Sequence, residues 1–189
     1  MRLSPFYFSI GLFLVLISCR PEVSKEYQKL VDVTNLKMNH IDANHRVAIV
    51  EDDFKEGDSI YKIRAYYYNR DIIKLVSVLR TPNYERDDYF YFENKSPIFS
   101  GHLMNERDAH EAEEYKYYYS NGQVVESLYW KDTYEPGRRF HHEAFQEFSP
   151  NIDSLMASEK ARFNFLVTKL ELEGVEIMHL NENLEANSQ

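Results

Sequence analysis

The sequence predicts an α+β domain: an antiparallel β-meander of about six or more strands, with an N-terminal and a C-terminal helix packed on one face. Three observations predict it. The middle of the 189-residue chain holds three aromatic-rich segments, each followed by a polar turn and an apolar return. The segments on either side carry apolar residues at three- and four-residue steps, the period of a helix with one buried stripe. The hydrophobic fraction of 43 % is enough for a core beneath a single domain of this length.

The first helix starts near Lys25. Ser24 is a good N-cap, because its hydroxyl can accept from a free amide of the first turn. Tyr27, Leu30, Val31, Thr34 and Met38 then share one face. The polar stretch 39–44 ends the helix. Residues 47–50 (Val-Ala-Ile-Val) read as a short strand, and 51–58 as an acidic loop.

The three central units begin at Tyr66, Phe90 and Tyr117, 24 and 27 residues apart. Each is a run of three aromatics, a polar turn and an apolar return, made of residue types that fit a pleated, half-buried surface. The third is the clearest. Asn121-Gly122 is the preferred pair for a two-residue type I′ turn, since both positions need positive φ. It predicts that residues 114–120 pair with 123–130. Pro97 has no N–H for a ladder, so it should begin its strand or lie at an edge. The connections at 81–87 and 105–113 read as charged, exposed loops. Consecutive aromatics alternate between faces, so part of the sheet is expected to present an exposed aromatic face.

Residues 135–139 read as a turn, and 140–148 fit either a strand or a helix. Ser149-Pro150 reads as a helix start, with proline where its missing N–H costs nothing. Ile152, Leu155, Met156, Phe163, Leu166, Val167 and Leu170 then fall on one stripe. Gly174 is a suitable C′ residue, residues 175–180 fit one more strand, and 181–189 read as a disordered polar tail.

The leader is a separate matter. Arg2 precedes a mostly apolar run from Phe6 to Ile17, which ends in Ser18-Cys19. This is the layout of a secretory signal, and it is too short to span a bilayer comfortably. Leu16-Ile17-Ser18-Cys19 resembles the bacterial lipobox: an aliphatic residue, a small or aliphatic one, a small one, then cysteine. The resemblance implies a diacylglycerol on the Cys19 thiol and removal of residues 1–18. Residues 19–24 would then be a lipid-anchored tether and 25–180 a single domain. Cys19 is the sole cysteine, so no internal disulfide can form. The stretch Tyr117-Tyr118-Tyr119-Ser120-Asn121-Gly122-Gln123-Val124-Val125-Glu126-Ser127-Leu128-Tyr129-Trp130 is similar to hairpin units of small bacterial envelope lipoproteins of uncharacterised function. That resemblance implies an antiparallel sheet module and no named activity. The first two units lack its Asn-Gly turn.

Charge narrows the partners. Loss of residues 1–18 removes one cation, Arg2, and takes the formal net charge from −9 to −10. Such acidity argues against nucleic acid and against anionic lipid headgroups.

The chain has no Gly-rich phosphate loop, no G-x-S-x-G and no HExxH. Of its seven histidines, His102, His110 beside Glu111, and His141-His142 beside Glu143 come nearest to a metal set. They lack zinc spacing and read as surface histidines. Asp52-Asp53 and Asp87-Asp88 read as solvated loop carboxylates. No metal or cofactor is expected.

The sequence therefore predicts a membrane-anchored lipoprotein of the inner or outer membrane, with its domain facing the periplasm or the cell surface. It is expected to act as a non-enzymatic binding or structural module. Tyr117, Tyr119, Tyr129 and Trp130 form a candidate surface for an envelope protein, glycan or peptide. An inhibitor or immunity-type lipoprotein steered to a basic partner is the first alternative. An envelope hydrolase assembled from scattered His, Asp and Glu is the second.

Overall fold

A computed structural model describes residues 25–133 and 145–170. Helix α1 (Lys25–Asp42) leads into strands β1 (Ala48–Glu56), β2 (Ser59–Tyr68), β3 (Asp71–Arg80), β4 (Tyr84–Glu93), β5 (Ser96–Glu106), β6 (Glu111–Ser120), β7 (Gln123–Thr133) and β8 (Gln146–Glu147). Helix α2 (Ile152–Lys169) follows. Each strand pairs antiparallel with its neighbour in the chain, in the order β1 to β8. The α+β class and the antiparallel meander are as the sequence predicts, with eight strands in the sheet among the described residues.

The repeat is a repeat of hairpins. The pairs β2–β3, β4–β5 and β6–β7 turn at Asn69-Arg70, Asn94-Lys95 and Asn121-Gly122. All six residues have positive φ, between 50° and 74°. The first two units therefore make the same turn as Asn-Gly, with an arginine or lysine where glycine would be relaxed. Each hairpin also shifts register just before its turn, at Tyr66/Tyr67, Tyr91/Phe92 and Tyr118/Tyr119. Pro97 lies at the start of β5, paired with Phe92 and beyond the reach of the β6 ladder, which begins at Phe99.

Several expected loops are strand. β1 runs through the acidic stretch read as a loop. Its Glu51 and Asp53 stand on one face opposite Arg64 and Lys62, at 2.7 and 3.1 Å, so cross-strand cations offset their charge. The connections near 81–87 and 105–113 contract to 81–83 and 107–110. Helix α2 starts two residues later than the Ser149-Pro150 signal. Asn151 is its N-cap, accepting from the Ser154 N–H at 3.0 Å. The expectations for 1–24, 135–144 and 171–189, including Gly174, the strand at 175–180 and the tail, lie outside the described residues.

The helices do not share a face. Phe90, Phe92, Tyr117 and Tyr119 form one cluster with Met156, Phe163 and Leu166 of α2. Tyr91, Phe99 and Tyr118 form another, against Leu30, Val31, Met38 and Ile41 of α1. Neighbouring strand residues point to opposite faces, so runs such as Phe90-Tyr91-Phe92 are apolar on both. Each helix covers one of those faces. This corrects the one-face packing, and the aromatic centre of the second face lies beneath α1.

Candidate functional site

The register brings three polar side chains into one row beneath α2: Ser77 on β3, Asp88 on β4 and His102 on β5 are successive cross-strand partners. Asp88 and Ser77 are fully buried. Helix α2 lowers two charged residues onto this row, Glu159 and Arg162. They are three apart and so lie on one face of the helix.

Asp88 is the hub. Its Oδ1 accepts from Arg86 Nε at 2.7 Å and lies 2.8 Å from His102 Nδ1. Its Oδ2 accepts from Ser77 Oγ at 3.0 Å and from Arg162 Nε and Nη2 at 2.8 and 2.6 Å. On the other side of the imidazole, His102 Nε2 stands 2.9 Å from Glu159 Oε1. That contact is off the direction of the ring N–H, so it is an ion pair rather than an aligned hydrogen bond. Tyr119 donates to Glu159 Oε2 at 3.4 Å and shares a 2.9 Å hydrogen bond with Ser100.

Burial opposes charge on Asp88. The hydrogen bond from His102 and the charges of Arg86 and Arg162 outweigh it and hold the carboxyl well below the usual range. For His102, burial favours the neutral ring, but Asp88 and Glu159 on its two sides raise its pKa to about 9. Burial and the Glu159 carboxylate push the phenols of Tyr117 and Tyr119 up. The result is a set of three cations and two carboxylates spanning sheet and helix. Both ring nitrogens face carboxylates, and Asp88 is saturated with donors. Among the described residues, no group of three or more His, Cys, Asp and Glu is arranged to hold a metal ion.

A second feature lies on the other side of the sheet. A groove of about 950 Å³ runs between the outer side of α1 and the turns of β2–β3 and β4–β5. Val33, Leu36 and His40 line it from the helix, and Tyr68, Ile73 and Lys95 from the sheet.

The sequence-selected residues fall as follows. Cys19 lies outside the described residues, as do His141, His142 and Glu143. Tyr117, Tyr119 and Trp130 are buried, and Tyr129 is half-buried between Tyr115 and Phe148. Tyr117 and Tyr119 belong to the core beneath α2, so these four do not form an exposed aromatic row. His102 is a buried member of the charged network, not a surface histidine. His110 is exposed and holds positive φ at the end of the β5–β6 loop. The pairs Asp52-Asp53 and Asp87-Asp88 lie in β1 and β4 rather than in loops.

Sequence reading missed Glu159 and Arg162, and took Asp88 for a solvated loop carboxylate where it is buried in β4. The signal was in the helix: Glu159 falls on the same stripe as Met156, Phe163 and Leu166, where a solvated carboxylate has no place. Among the described residues, no helix is long and apolar enough to cross a membrane. Comparison with known protein families, with curated proteins and with solved structures gives no significant match to this chain.

Proposed function

We propose that this chain is a lipid-anchored, non-enzymatic binding module of the bacterial cell envelope, held to its membrane by acyl chains on Cys19. The observation that carries the reading is the sequence Leu16-Ile17-Ser18-Cys19 at the end of an apolar leader, six residues before the first residue of α1. Two or three acyl chains anchor stably, because each buried methylene contributes about 0.8 kcal/mol.

The charged network supports a structural role over a catalytic one. A catalytic base needs a free site for the proton it takes and access for a substrate. Asp88 is fully buried and accepts from two arginines and a serine, while His102 is 7 % exposed and held between two carboxylates. The network spends its hydrogen-bonding capacity on joining helix to sheet. The experiment is metabolic labelling with an alkyne analogue of palmitate, followed by membrane fractionation. The wild-type chain should carry label and sediment with membranes, and Cys19→Ser should do neither. Label on the variant, or an unlabelled wild type in the soluble fraction, contradicts the proposal.

A further inference from the structure

We propose that the outer face of α1, with the hairpin turns beside it, docks on the phospholipid surface to which the protein is anchored. The inference rests on the anchor at Cys19 proposed above.

Helix α1 is apolar on two sides. Its inner side packs on the sheet through Leu30, Val31, Met38 and Ile41. Its outer side leaves Val33 40 % and Leu36 60 % exposed, and Tyr68 at the β2–β3 turn is 43 % exposed across the groove. Val33 and Leu36 are three apart, so they share one helical face. Lys29 lies one turn before Val33, and Lys37 lies beside Leu36. Arg70 and Lys95 occupy the two turns. Of the carboxylates in this region, Glu93 and Asp71 face the cations Lys37 and Lys95, while Asp32, one turn before Leu36, accepts from the neutral Gln28.

An apolar strip with a tyrosine beside it and two cations at its rim, Lys29 and Arg70, beyond the ion-paired Lys37 and Lys95, matches a phospholipid interface. Leucine and valine enter the boundary between headgroups and acyl chains, tyrosine sits at headgroup level, and lysine meets phosphate. The whole chain is acidic, with a formal net charge of −9, so long-range attraction to anionic lipid is not what brings this face down.

The tether does that. Only five residues, 20–24, separate Cys19 from Lys25. Extended chain spans at most about 3.5 Å per residue, so α1 starts within about 20 Å of the acylated residue. Leu36 is then about 17 Å further along the helix, at about 1.5 Å per residue. A helix held this close stays within reach of the headgroups for as long as the anchor is inserted. The local concentration of lipid surface is therefore high, and modest apolar contact suffices.

The test uses the full chain expressed in a bacterium that acylates lipoproteins. The product is purified with its lipid and placed in phosphatidylcholine nanodiscs containing a nitroxide-labelled phospholipid. Its intact mass is measured first, and methyl NMR intensities second. Ile152, 42 % exposed at the start of α2 on the opposite face, is the internal control. Val33 and Leu36 methyls should lose most of their intensity while Ile152 keeps most of its own. Leu36→Glu, an exposed substitution, should restore Val33. An acylated protein in which Leu36 and Ile152 broaden equally, or neither broadens, overturns the docking and leaves the anchor standing. Protection of Leu36 that appears only with two copies per disc assigns the face to a second copy and also overturns the docking. A mass without acyl chains overturns the anchor and the docking together.

Discussion

Glu159 of α2 and His102 of β5 meet at 2.9 Å across the boundary between helix and sheet, and the far nitrogen of the same imidazole lies 2.8 Å from Asp88. One ring thus links a carboxylate from each layer. Arg162 reaches down from α2 to the same Asp88. Apolar packing would let α2 slide or rotate on the aromatic sheet with small changes in buried area. The charged row removes that freedom, because any other register leaves a buried charge without its partner.

The first prediction concerns the hub. Asp88→Ala leaves Arg162, Arg86 and His102 facing one another without their carboxylate. The expected cost is about 3–5 kcal/mol, the usual result of removing one partner from a buried ionic set. Asp53→Ala, which breaks an exposed pair with Lys62, should change stability by no more than about 1 kcal/mol. Urea unfolding of both variants measures the contrast. Equal, small losses would sink the structural role of Asp88.

The second concerns pH. The folded-state value of His102 is raised from 6.5 to about 9. A raised value means that its contribution is fully present below pH 6.5 and is lost as pH climbs through 9. The span corresponds to about 3 kcal/mol at most. Asp88 has the opposite sign: its value is lowered, so its contribution is present above the ordinary carboxyl value of 3.8 and is lost as pH falls below it. Urea midpoints at pH 6.5 and 9.5 should fall for the wild type and stay nearly level for His102→Gln. Parallel slopes for the two proteins would contradict a charged imidazole in the fold.

Turn chemistry gives a third prediction. Arg70 and Lys95 hold φ of 72° and 64° in turns where glycine carries no steric penalty. Arg70→Gly and Lys95→Gly should each stabilise by up to about 1 kcal/mol, and Gly122→Ala should cost about the same. Thermal unfolding of the three variants checks the signs. A loss for both glycine substitutions would mean that these side chains contribute more than their backbone strain costs.

Gly101 supplies the fourth. A Cβ there would come within 3.0 and 3.1 Å of the Phe99 ring. That ring cannot easily move aside, because it packs edge-on against Tyr91 and Tyr118 at 6.0 and 5.2 Å. Gly101→Ala should cost about 1–3 kcal/mol by overpacking. An unchanged midpoint in denaturant would show that the face beneath α1 is looser than described.

Much of this architecture is legible in the residues, and the misreadings share a cause. Asn121-Gly122 identifies its hairpin because its backbone preference is local. Asn69-Arg70 and Asn94-Lys95 make the same turn, yet only their asparagines advertise it. The acidic stretch 51–58 reads as loop by composition, and 51–56 of it becomes strand because Arg64 and Lys62 arrive opposite it, a fact of pairing rather than of local sequence. The same holds for the helices. Periodicity finds both stripes, but which face each covers is decided by the alternation in Phe90-Tyr91-Phe92. Asp88 and His102 look like surface residues because charge predicts exposure on average. They are buried because Glu159 and Arg162, 71 and 74 positions beyond Asp88, come down on them.

The anchor is the claim on which the placement at a membrane depends, and the mass of the amino-terminal peptide from the protein in its own cells tests it most directly. The account predicts a chain that begins at Cys19, lacks residues 1–18 and carries a diacylglycerol thioether with two or three acyl chains in all. A terminal peptide that still begins at Met1, or a Cys19 recovered with an unmodified thiol, would contradict it.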